Sequence, residues 1–238
     1  GRETFSWKPD LGWTLREELS LTKEQDLEAF HVQGYTQAPR ITPEGLLVET
    51  PNLPQQAATL EKQVYLWSKK FFEGDLYVTY EFLSLKEGGL SLLMTQASGM
   101  NREPFMLDHK PKTTGSMSTV HSDAVRNYHW EYYREMNDVR NDVATHAMLK
   151  NPFWRGMAYG CTRKPLEKNQ WHRLEYLQQG GRILGAINGE IVIDANDSSS
   201  AGSGSILLAG HIAIRCMIRT KMLFRNLKVM NSNFPPSA

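Results

Sequence analysis

The stretch DLYVTYEFL, residues 75–83, decides the fold class of this chain because its side chains alternate with a period of two. In an extended strand, residues at even positions share one face and residues at odd positions share the other. The even positions from Leu76 to Phe82 are all apolar, whereas the odd face also carries Thr79 and Glu81. This pattern is typical of a strand that rests one face on a hydrophobic core.

Strand-like stretches recur along the chain. The dipeptide Asn188-Gly189, between two apolar runs, predicts a tight β-hairpin. Because the strands alternate so little with helices, parallel βαβ units are not expected. We therefore predict an all-β fold: a two-sheet antiparallel β-sandwich of the jelly-roll type with one or two short helices. The further predicted strands are 45–49, 63–67, 90–95, 127–134, 157–161, 171–178, 182–187, 190–194, 211–218 and 222–230.

Four segments lack a strand pattern. Helices are predicted over 22–30, which has acidic residues in its first turns, and over 137–149, which Pro152 would stop. Long loops are predicted over 97–126 and 194–205. We expect the first of these loops and the second helix to form the walls of a cleft.

No repeat or change of composition divides the chain, so we expect one domain over residues 1–238, with 1–10 and 231–238 peripheral. The net charge is only +1, which argues against a nucleic-acid partner. No apolar run is long enough to span a membrane. Because the chain starts at Gly1 and carries no leader, we expect an extracellular or periplasmic protein.

Cysteine usage predicts neither a disulfide scaffold nor a zinc site. Cys161 and Cys216 lie in apolar, strand-like surroundings, so we expect two buried thiols. The pairs His121-x-Asp123 and His129-x-Glu131 match no metal-ligand motif. We expect no cofactor and no catalytic metal, and we leave a structural Ca²⁺ on loop oxygens open.

The stretch NYHWEYYR, residues 127–134, is the main candidate site. As a regular strand it would place Asn127, His129, Glu131 and Tyr133 on one face and an aromatic set on the other. The aromatic face would enter the core, leaving acid–base groups on a concave sheet surface that suits a sugar. The alternative is a hydrogen-bonded polar ladder with no ligand.

The stretch that follows residue 134 is rich in cationic residues, among them Arg140 and Lys150, and it suggests an acidic substrate. A uronate lyase needs a cation to neutralise the carboxylate and a Tyr or His to move protons. We therefore expect Tyr133 with His129 or His146 as proton carriers and predict polysaccharide or oligosaccharide as the ligand. Alternatively, the stretch is an exposed helix with ordinary ion pairs. The candidate substrate-binding residues are Glu81, Asn127, Arg134, Arg140, Asn141, Lys150 and Arg215.

Two other functions remain open at this point. A glycoside hydrolase would use Glu131 and Glu81 as its carboxylate pair, which requires the carboxyls to face each other across about 5 to 9.5 Å. A non-catalytic glycan-binding module would bind through aromatic rings without turnover. The geometry of the site discriminates between hydrolysis and elimination. Two carboxyls that face each other across a cleft favour hydrolysis, whereas Tyr, His and Arg that converge without such a pair favour elimination.

The second half of the chain resembles the closing strands of concanavalin A-like lectin/glucanase jelly rolls. The resemblance is carried by WHRLEY (171–176), GRILGAING (181–189), GHIAIR (210–215) and FRNLKV (224–229). Within that superfamily, YYREMN (132–137), the DVATH motif that ends at His146, and Lys150 resemble the YesU-like family, whose function is unknown. That resemblance implies a role in bacterial breakdown of plant or algal polysaccharides, and it supplies no catalytic residues.

Overall fold

The computed structural model describes residues 3–53, 62–104, 125–135, 145–152, 154–198 and 204–233. These residues form sixteen strands and one 3₁₀ helix, Glu24–Ala29. The strands are β1 (Trp13–Leu19), β2 (Phe30–Gly34), β3 (Pro39–Thr42), β4 (Gly45–Glu49), β5 (Val64–Ser68), β6 (Phe72–Glu73), β7 (Leu76–Ser84), β8 (Gly89–Gly99), β9 (Val125–Glu135), β10 (Thr145–Asn151), β11 (Arg155–Cys161), β12 (His172–Gln179), β13 (Arg182–Ile187), β14 (Glu190–Asn196), β15 (Ala209–Cys216) and β16 (Lys221–Ser232).

The strands build two antiparallel sheets of eight strands each. Sheet A has the order β14-β13-β12-β7-β16-β4-β3, with β1 also paired to β16. Sheet B has the order β11-β10-β9-β8-β15-β5-β2, with β6 paired to β15. The predicted all-β antiparallel sandwich is therefore confirmed.

One hydrophobic cluster fills the space between the sheets, and β9 and β7 are major contributors. The even residues of the opening stretch enter this core, as their alternation predicts. From sheet B, Tyr128, Trp130 and Tyr132 enter it, which confirms that the aromatic face of β9 points inward. Gly185 of sheet A lies directly under Trp130, since a Cβ atom there would approach the indole ring to 2.9 Å. The core thus depends on a large ring opposite a glycine.

Each sheet also has an outer face, the one turned away from this core, and both carry smaller apolar clusters. On sheet A, residues near both ends of the chain contribute: Phe5 is buried, and Trp7 and Met230 pack beside it. Thr4 bridges to Glu190 at the edge of the sheet. Residues of the N-terminal segment and Met230 of β16 therefore pack on the outer face of sheet A.

Turn chemistry identified the strongest local features. The strands at 45–49 and 182–187 have the predicted bounds, and Asn188 and Gly189 take the positive φ values of 52° and 81° that a tight hairpin needs. The segment predicted as a helix over 22–30 contains the 3₁₀ helix. Asp26 stabilises the entry to that helix by accepting the backbone N–H of Leu21 at 2.9 Å.

The predicted helix over 137–149 is wrong where the structure describes it. Residues 145–149 belong to β10, which pairs with β9 on one side and β11 on the other, and residues 136–144 lie outside the described residues. The predicted loops 97–126 and 194–205 are shorter at their ends, because β8 runs to Gly99 and β14 to Asn196. Their middles, 105–124 and 199–203, lie outside the described residues.

Two smaller expectations can also be compared with the structure. Cys216 is buried, but Cys161 is exposed on the edge strand β11, so the expectation of two buried thiols holds for Cys216 only. Among the described residues, no helix is both long and apolar enough to cross a membrane.

Candidate functional site

The acid–base residues of β9 lie on the outer face of sheet B. In the register of the sheet, His129 is flanked by Met94 and Leu149, and Glu131 is flanked by Leu92 and by Ala147 of β10. His129 is fully buried and Glu131 is only 6% exposed. The expectation of an open polar surface is therefore wrong, because these groups lie in an apolar setting rather than in solvent.

Glu131 is the centre of this group. Its carboxylate accepts a hydrogen bond from Arg134 Nη1 at 3.1 Å, and its other oxygen lies 3.8 Å from His129 Nε2. Burial raises the pKa of Glu131, and the positive charges of Arg134 and Arg215 oppose that rise only in part. A carboxyl with a raised pKa beside an imidazole is suited to exchanging protons near neutral pH.

A β-bulge decides which neighbours Glu131 has. Ser91 of β8 is opposite Tyr133, whereas the next residue, Leu92, is opposite Glu131, so β9 has one extra residue at this point. The bulge reverses the alternation, so that Arg134 reaches Glu131 and Tyr133 joins the central hydrophobic cluster. The prediction that Tyr133 shares a face with His129 and Glu131 is therefore wrong, and Arg134 takes that place.

Arg215 extends the site along the same row of the sheet. Its guanidinium is buried, lies 4.7 Å from the centre of the Tyr65 ring and donates to Gln63 Oε1 at 2.5 Å. The rings of Tyr65 and Trp67 are stacked with their centres 5.7 Å apart. Arg215 thus stands between an aromatic pair on β5 and the Glu131 carboxylate, whose pKa it influences.

Sequence analysis missed the contribution of β5. Gln63, Tyr65 and Trp67 alternate with apolar residues, as the polar and aromatic residues of β9 do, and that alternation was a usable signal. Trp67 Nε1 donates to Gln33 Oε1 at 2.8 Å. Sequence alone could not show that β5 joins the same sheet as β9, because β8 and β15 lie between them.

Exposed aromatic rings border the buried group. Trp154, in the turn between β10 and β11, is 38% exposed, and its ring centre lies 5.4 Å from that of His129 in an edge-on arrangement. Tyr159 is 71% exposed and is opposite Ala147, which places it in the same row as Glu131. Rings that face solvent beside buried polar groups can pack against the CH faces of a pyranose.

Asn127 continues the site residues toward the end of the sheet. It is buried, and its Oδ1 accepts a hydrogen bond from Asn151 Nδ2 at 3.1 Å. The two amides lie opposite each other in register, on the same face as His129. Asn127 therefore remains at the site but already has a protein partner.

His146 and Lys150 belong to β10, the strand next to β9, but their side chains lie on the core side of sheet B and not on its outer face. His146 Nδ1 accepts the Trp130 indole N–H at 3.0 Å, and burial lowers its pKa to about 3, so it stays neutral. Lys150 Nζ donates to Asp197 Oδ2 at 2.6 Å. The expectation that these two groups join His129 is wrong, because residues 145–150 form a strand whose even positions point toward the core side.

Glu81 lies on the far side of the molecule from Glu131. It projects from the outer face of sheet A, since its neighbours Tyr80 and Phe82 enter the core. Its carboxylate accepts hydrogen bonds from Arg225 at 3.2 and 3.3 Å and from Asn226 at 2.6 Å. The predicted carboxylate pair of Glu131 and Glu81 is therefore excluded, because the whole sandwich separates them.

Two of the predicted substrate-binding residues lie in a segment that the structure does not describe. Arg140 and Asn141 lie in 136–144, outside the described residues. Within the described ranges, no group of three or more His, Cys, Asp or Glu side chains could hold a metal ion.

Comparison with known proteins identifies relatives of this chain. Residues 17–229 match the family model described as a domain of unknown function, DUF1961. The uncharacterized protein YesU of Bacillus subtilis is 24% identical over 171 residues, which are 71% of this chain and 77% of YesU.

Two solved structures show how widely the fold is shared. A Bacillus subtilis protein of unknown function with a galectin-like fold has a TM-score of 0.78 at 20% identity, covering 90% of this chain and 94% of that one. The kappa-carrageenase of Pseudoalteromonas carrageenovora, solved with a kappa-carrageenan oligosaccharide, has a TM-score of 0.61 at 11% identity, covering 94% of this chain and 97% of that one. Both likenesses concern the fold.

Proposed function

The chain belongs to the DUF1961 family of domains of unknown function, and on that premise we propose that it is a carbohydrate-active protein that acts on a glycan at the outer face of sheet B. The observation that carries the proposal is the buried Glu131 carboxyl, which contacts Arg134 and lies 3.8 Å from His129. Exposed rings at Trp154 and Tyr159 stand beside it and offer platforms for sugar rings.

The chemistry that suits this group is elimination from a uronate-containing polysaccharide. Arg134, whose side chain is half exposed, neutralises the substrate carboxylate and so acidifies the adjacent C–H. His129 takes that proton, the electron pair forms a carbon–carbon double bond, and the glycosidic C–O bond breaks. Glu131, whose acid form is favoured because burial raises its pKa, gives a proton to the leaving oxygen. Transfer of a proton from His129 to Glu131 then restores the starting state.

Elimination is preferred to hydrolysis because sheet B offers too few carboxylates near Glu131. The strands of sheet B contain three glutamates and no aspartate: Glu73, which is exposed, Glu131 and the terminal Glu135. Most glycoside hydrolases use two carboxyls, one on either side of the bond that they cleave. Glu131 has no such partner among the described side chains of its own sheet face, and Glu81 is on the opposite side of the molecule.

Binding without turnover is the second candidate, and the exposed rings favour it. Trp154 and Tyr159 are aromatic residues with large solvent-facing surfaces close to each other in the chain. Such rings bind sugars whether or not a proton-transfer group is used. A glycan-binding module of this kind would lose its ligand on ring removal but not on substitution of Glu131.

We also propose that the protein works outside the cytoplasm of a bacterium, where polysaccharides are met, and that its chemistry needs no cofactor. The fold likeness to kappa-carrageenase, which was solved in complex with a kappa-carrageenan oligosaccharide, is compatible with a glycan ligand. Turnover that is lost with EDTA and restored by calcium would instead indicate a structural Ca²⁺.

The test is a screen of purified protein against acidic and neutral polysaccharides. Each reaction is followed by the ultraviolet absorbance of an unsaturated uronate and by a reducing-end assay. Absorbance together with reducing ends supports elimination, whereas reducing ends alone support hydrolysis and contradict the proposed chemistry. Saturable binding without either signal supports the binding module.

The matched variants are Glu131→Gln and Glu81→Gln, since they make the same change on opposite sides of the sandwich. Loss of turnover in Glu131→Gln with full turnover in Glu81→Gln is the expected result. Equal loss in both variants, or in neither, would exclude Glu131 as the proton donor. Near-wild-type unfolding curves for both variants would exclude misfolding as the cause.

A further inference from the structure

A small basic pocket lies at one end of the sandwich, apart from the Glu131 group. Its volume is about 130 Å³, and it is formed by the ends of β8, β9, β10 and β11 together with the segment that precedes β15. Three of its lining residues, Arg126, Lys150 and Arg155, are cationic, and none is acidic. Its other lining residues are Met100, Asn151, Pro152, Gly204, Ser205 and Leu207.

Lys150 is the neutralised member of the three cations. Its ammonium donates to Asp197 Oδ2 at 2.6 Å and to the Ser205 carbonyl at 2.8 Å. The Tyr128 hydroxyl donates to the same Asp197 oxygen at 2.7 Å, which fixes the carboxylate behind the lysine. One buried carboxylate therefore balances one buried ammonium, and among the described residues it leaves the two arginines uncompensated.

Neither arginine has a carboxylate partner in the described part of the chain. Arg155 is exposed and lies directly opposite Lys150 in the register of β10 and β11. Arg126 is half-buried, and its Nε–H group is buried without a hydrogen-bond acceptor among the described residues. A buried donor of a charged group that finds no acceptor costs free energy, which a bound anion would recover.

The electrostatics of the lysine reflect the same excess of positive charge. Burial lowers the pKa of Lys150, the Asp197 carboxylate opposes this, and the charges of Arg126 and Arg155 lower it further. A fourth cation lies close by, because Arg102 donates a hydrogen bond to the Ser205 hydroxyl. An anion in the pocket would relieve repulsion among these groups.

We propose that this pocket is a binding site for a compact oxyanion, held by the guanidinium groups of Arg126 and Arg155 with Lys150 at its base. Guanidinium groups bind sulfate, phosphate and carboxylate through paired N–H donors. The volume suits a group of a few atoms and is well below the roughly 300 Å³ at which sites for larger ligands begin. The oxyanion can be a free inorganic ion or a charged substituent of a larger molecule.

The pocket is separate from the proposed glycan site and does not depend on it. Trp154 contacts His129 on the outer face of sheet B, and the next residue, Arg155, lines the pocket. Lys150 at the base of the pocket nevertheless points toward the core side of sheet B, opposite to His129, so the pocket and the outer face are separate surfaces. The oxyanion site can therefore be tested without any glycan.

Calorimetric titration with sodium sulfate, at an ionic strength held constant with sodium chloride, tests the site directly. We expect saturable binding of one ion per chain. Arg126→Gln and Arg155→Gln should each weaken it about tenfold or more, since a charged hydrogen bond contributes about 1.5 to 3 kcal/mol. Arg182→Gln, which removes an exposed arginine on sheet A, should leave it unchanged.

The outcomes are decisive in both directions. Absence of saturable binding, or equal weakening in Arg182→Gln, would overturn the proposal, because the effect would then be general charge screening. Since Arg155 is exposed, its variant should fold normally even if Arg126→Gln does not. Galactose 6-sulfate and galactose, compared in a second titration, identify the source. Tighter binding of the sulfate ester than of inorganic sulfate points to a substituent, and the reverse points to a free ion.

Discussion

The two outer faces of the sandwich each carry a glutamate, and these glutamates are opposite in character. Glu81 on sheet A accepts three hydrogen bonds from Arg225 and Asn226, and the hydrogen bonds from these two residues outweigh its partial burial, so its pKa is lowered. Glu131 on sheet B is more deeply buried and has one such hydrogen bond, from Arg134, so its pKa is raised. The ionised form of the same residue type is thus stabilised on one face and destabilised on the other.

The difference shows how a carboxylate becomes part of the scaffold or part of a site. Around Glu81, the partners are complete: Arg225 also packs over the ring of Trp171 at 3.8 Å, which fixes its guanidinium. Around Glu131, the surroundings are apolar and the imidazole of His129 lies 3.8 Å away, beyond hydrogen-bond distance, so one carboxyl oxygen is not held by it. Completed hydrogen bonding stabilises a fold, whereas incomplete hydrogen bonding in an apolar setting leaves chemical reactivity.

The largest expected effect is on turnover. Glu131→Gln should lower kcat about 100-fold or more, since a positioned acid–base group contributes at least that factor. Glu81→Gln should leave kcat unchanged, because Glu81 lies on the other side of the molecule. Both are measured on the polysaccharide identified by the screen. A normal rate in Glu131→Gln would mean that the contrast between the two faces has no catalytic meaning.

The interior between the two faces provides the next test. His146→Ala should cost about 2 to 4 kcal/mol of unfolding free energy, because it leaves a cavity and deprives the buried Trp130 N–H of its acceptor. Its turnover, corrected for the folded fraction, should equal that of wild type. Urea unfolding measures the first quantity, with the exposed neighbour Thr145→Ala as control. A selective loss of turnover at full stability would return His146 to the catalytic group.

A smaller effect is expected on glycan affinity. Trp154→Ala should weaken binding about fivefold to tenfold, since removal of a stacking ring costs about 1 to 1.4 kcal/mol. Trp171→Ala removes the same side chain from the outer face of sheet A and should leave affinity unchanged. Binding is followed by intrinsic fluorescence or calorimetry. Equal losses in both variants would place the ligand elsewhere.

The smallest effects are on the pH dependence of stability, and their signs are opposite. The pKa of Glu81 is lowered in the folded state, so its ionised form contributes stability above the ordinary value of 4.5 that is lost as pH falls through the folded pKa. Glu81→Gln should therefore cost about 1 kcal/mol at neutral pH and nothing in acid. The pKa of Glu131 is raised, so its ionisation opposes folding as pH rises, and Glu131→Gln should gain relative stability toward neutral pH. The measurement is the unfolding free energy of wild type, Glu81→Gln and Glu131→Gln from about pH 3 to about pH 7, a range around the ordinary pKa of glutamate. It gives the sign of each variant's change in stability with pH. Curves of the same sign would contradict the contrast between the two carboxylates.

Much of the architecture was predictable because strand alternation and turn chemistry are local. The hairpin at Asn188-Gly189 and the inward aromatic face of β9 follow directly from such patterns. The edge strand β1 was not recognised, since its side chains are all exposed or half-buried and give little alternation. Residues 145–149 have apolar spacing that also suits a helix, and their pairing with two neighbouring strands decides the outcome.

The site was less predictable because it depends on contacts between distant strands. His129 and Glu131 were identified from one strand, but the partnership of Arg215 with Tyr65 joins residues 150 positions apart, on strands whose pairing no local pattern reveals. Lys150 was expected beside a carboxylate substrate, and in the structure it binds the carboxylate of Asp197. Side-chain type could be predicted, whereas the face on which a side chain lies required the sheet.

The bulge in β9 decides whether odd-numbered or even-numbered residues of the strand face outward. Up to Glu131, odd positions serve the outer face, and beyond the bulge even positions do, so Arg134 is available only because the strand holds one surplus residue. A relative that lacked this residue would turn its arginine toward the core even if its sequence were otherwise unchanged. Deleting Tyr132 from this chain would likewise turn Arg134 toward the core and place one of its neighbours on the outer face. When members of the family are compared, the number of residues between the acid and the arginine is therefore as informative as the residues themselves.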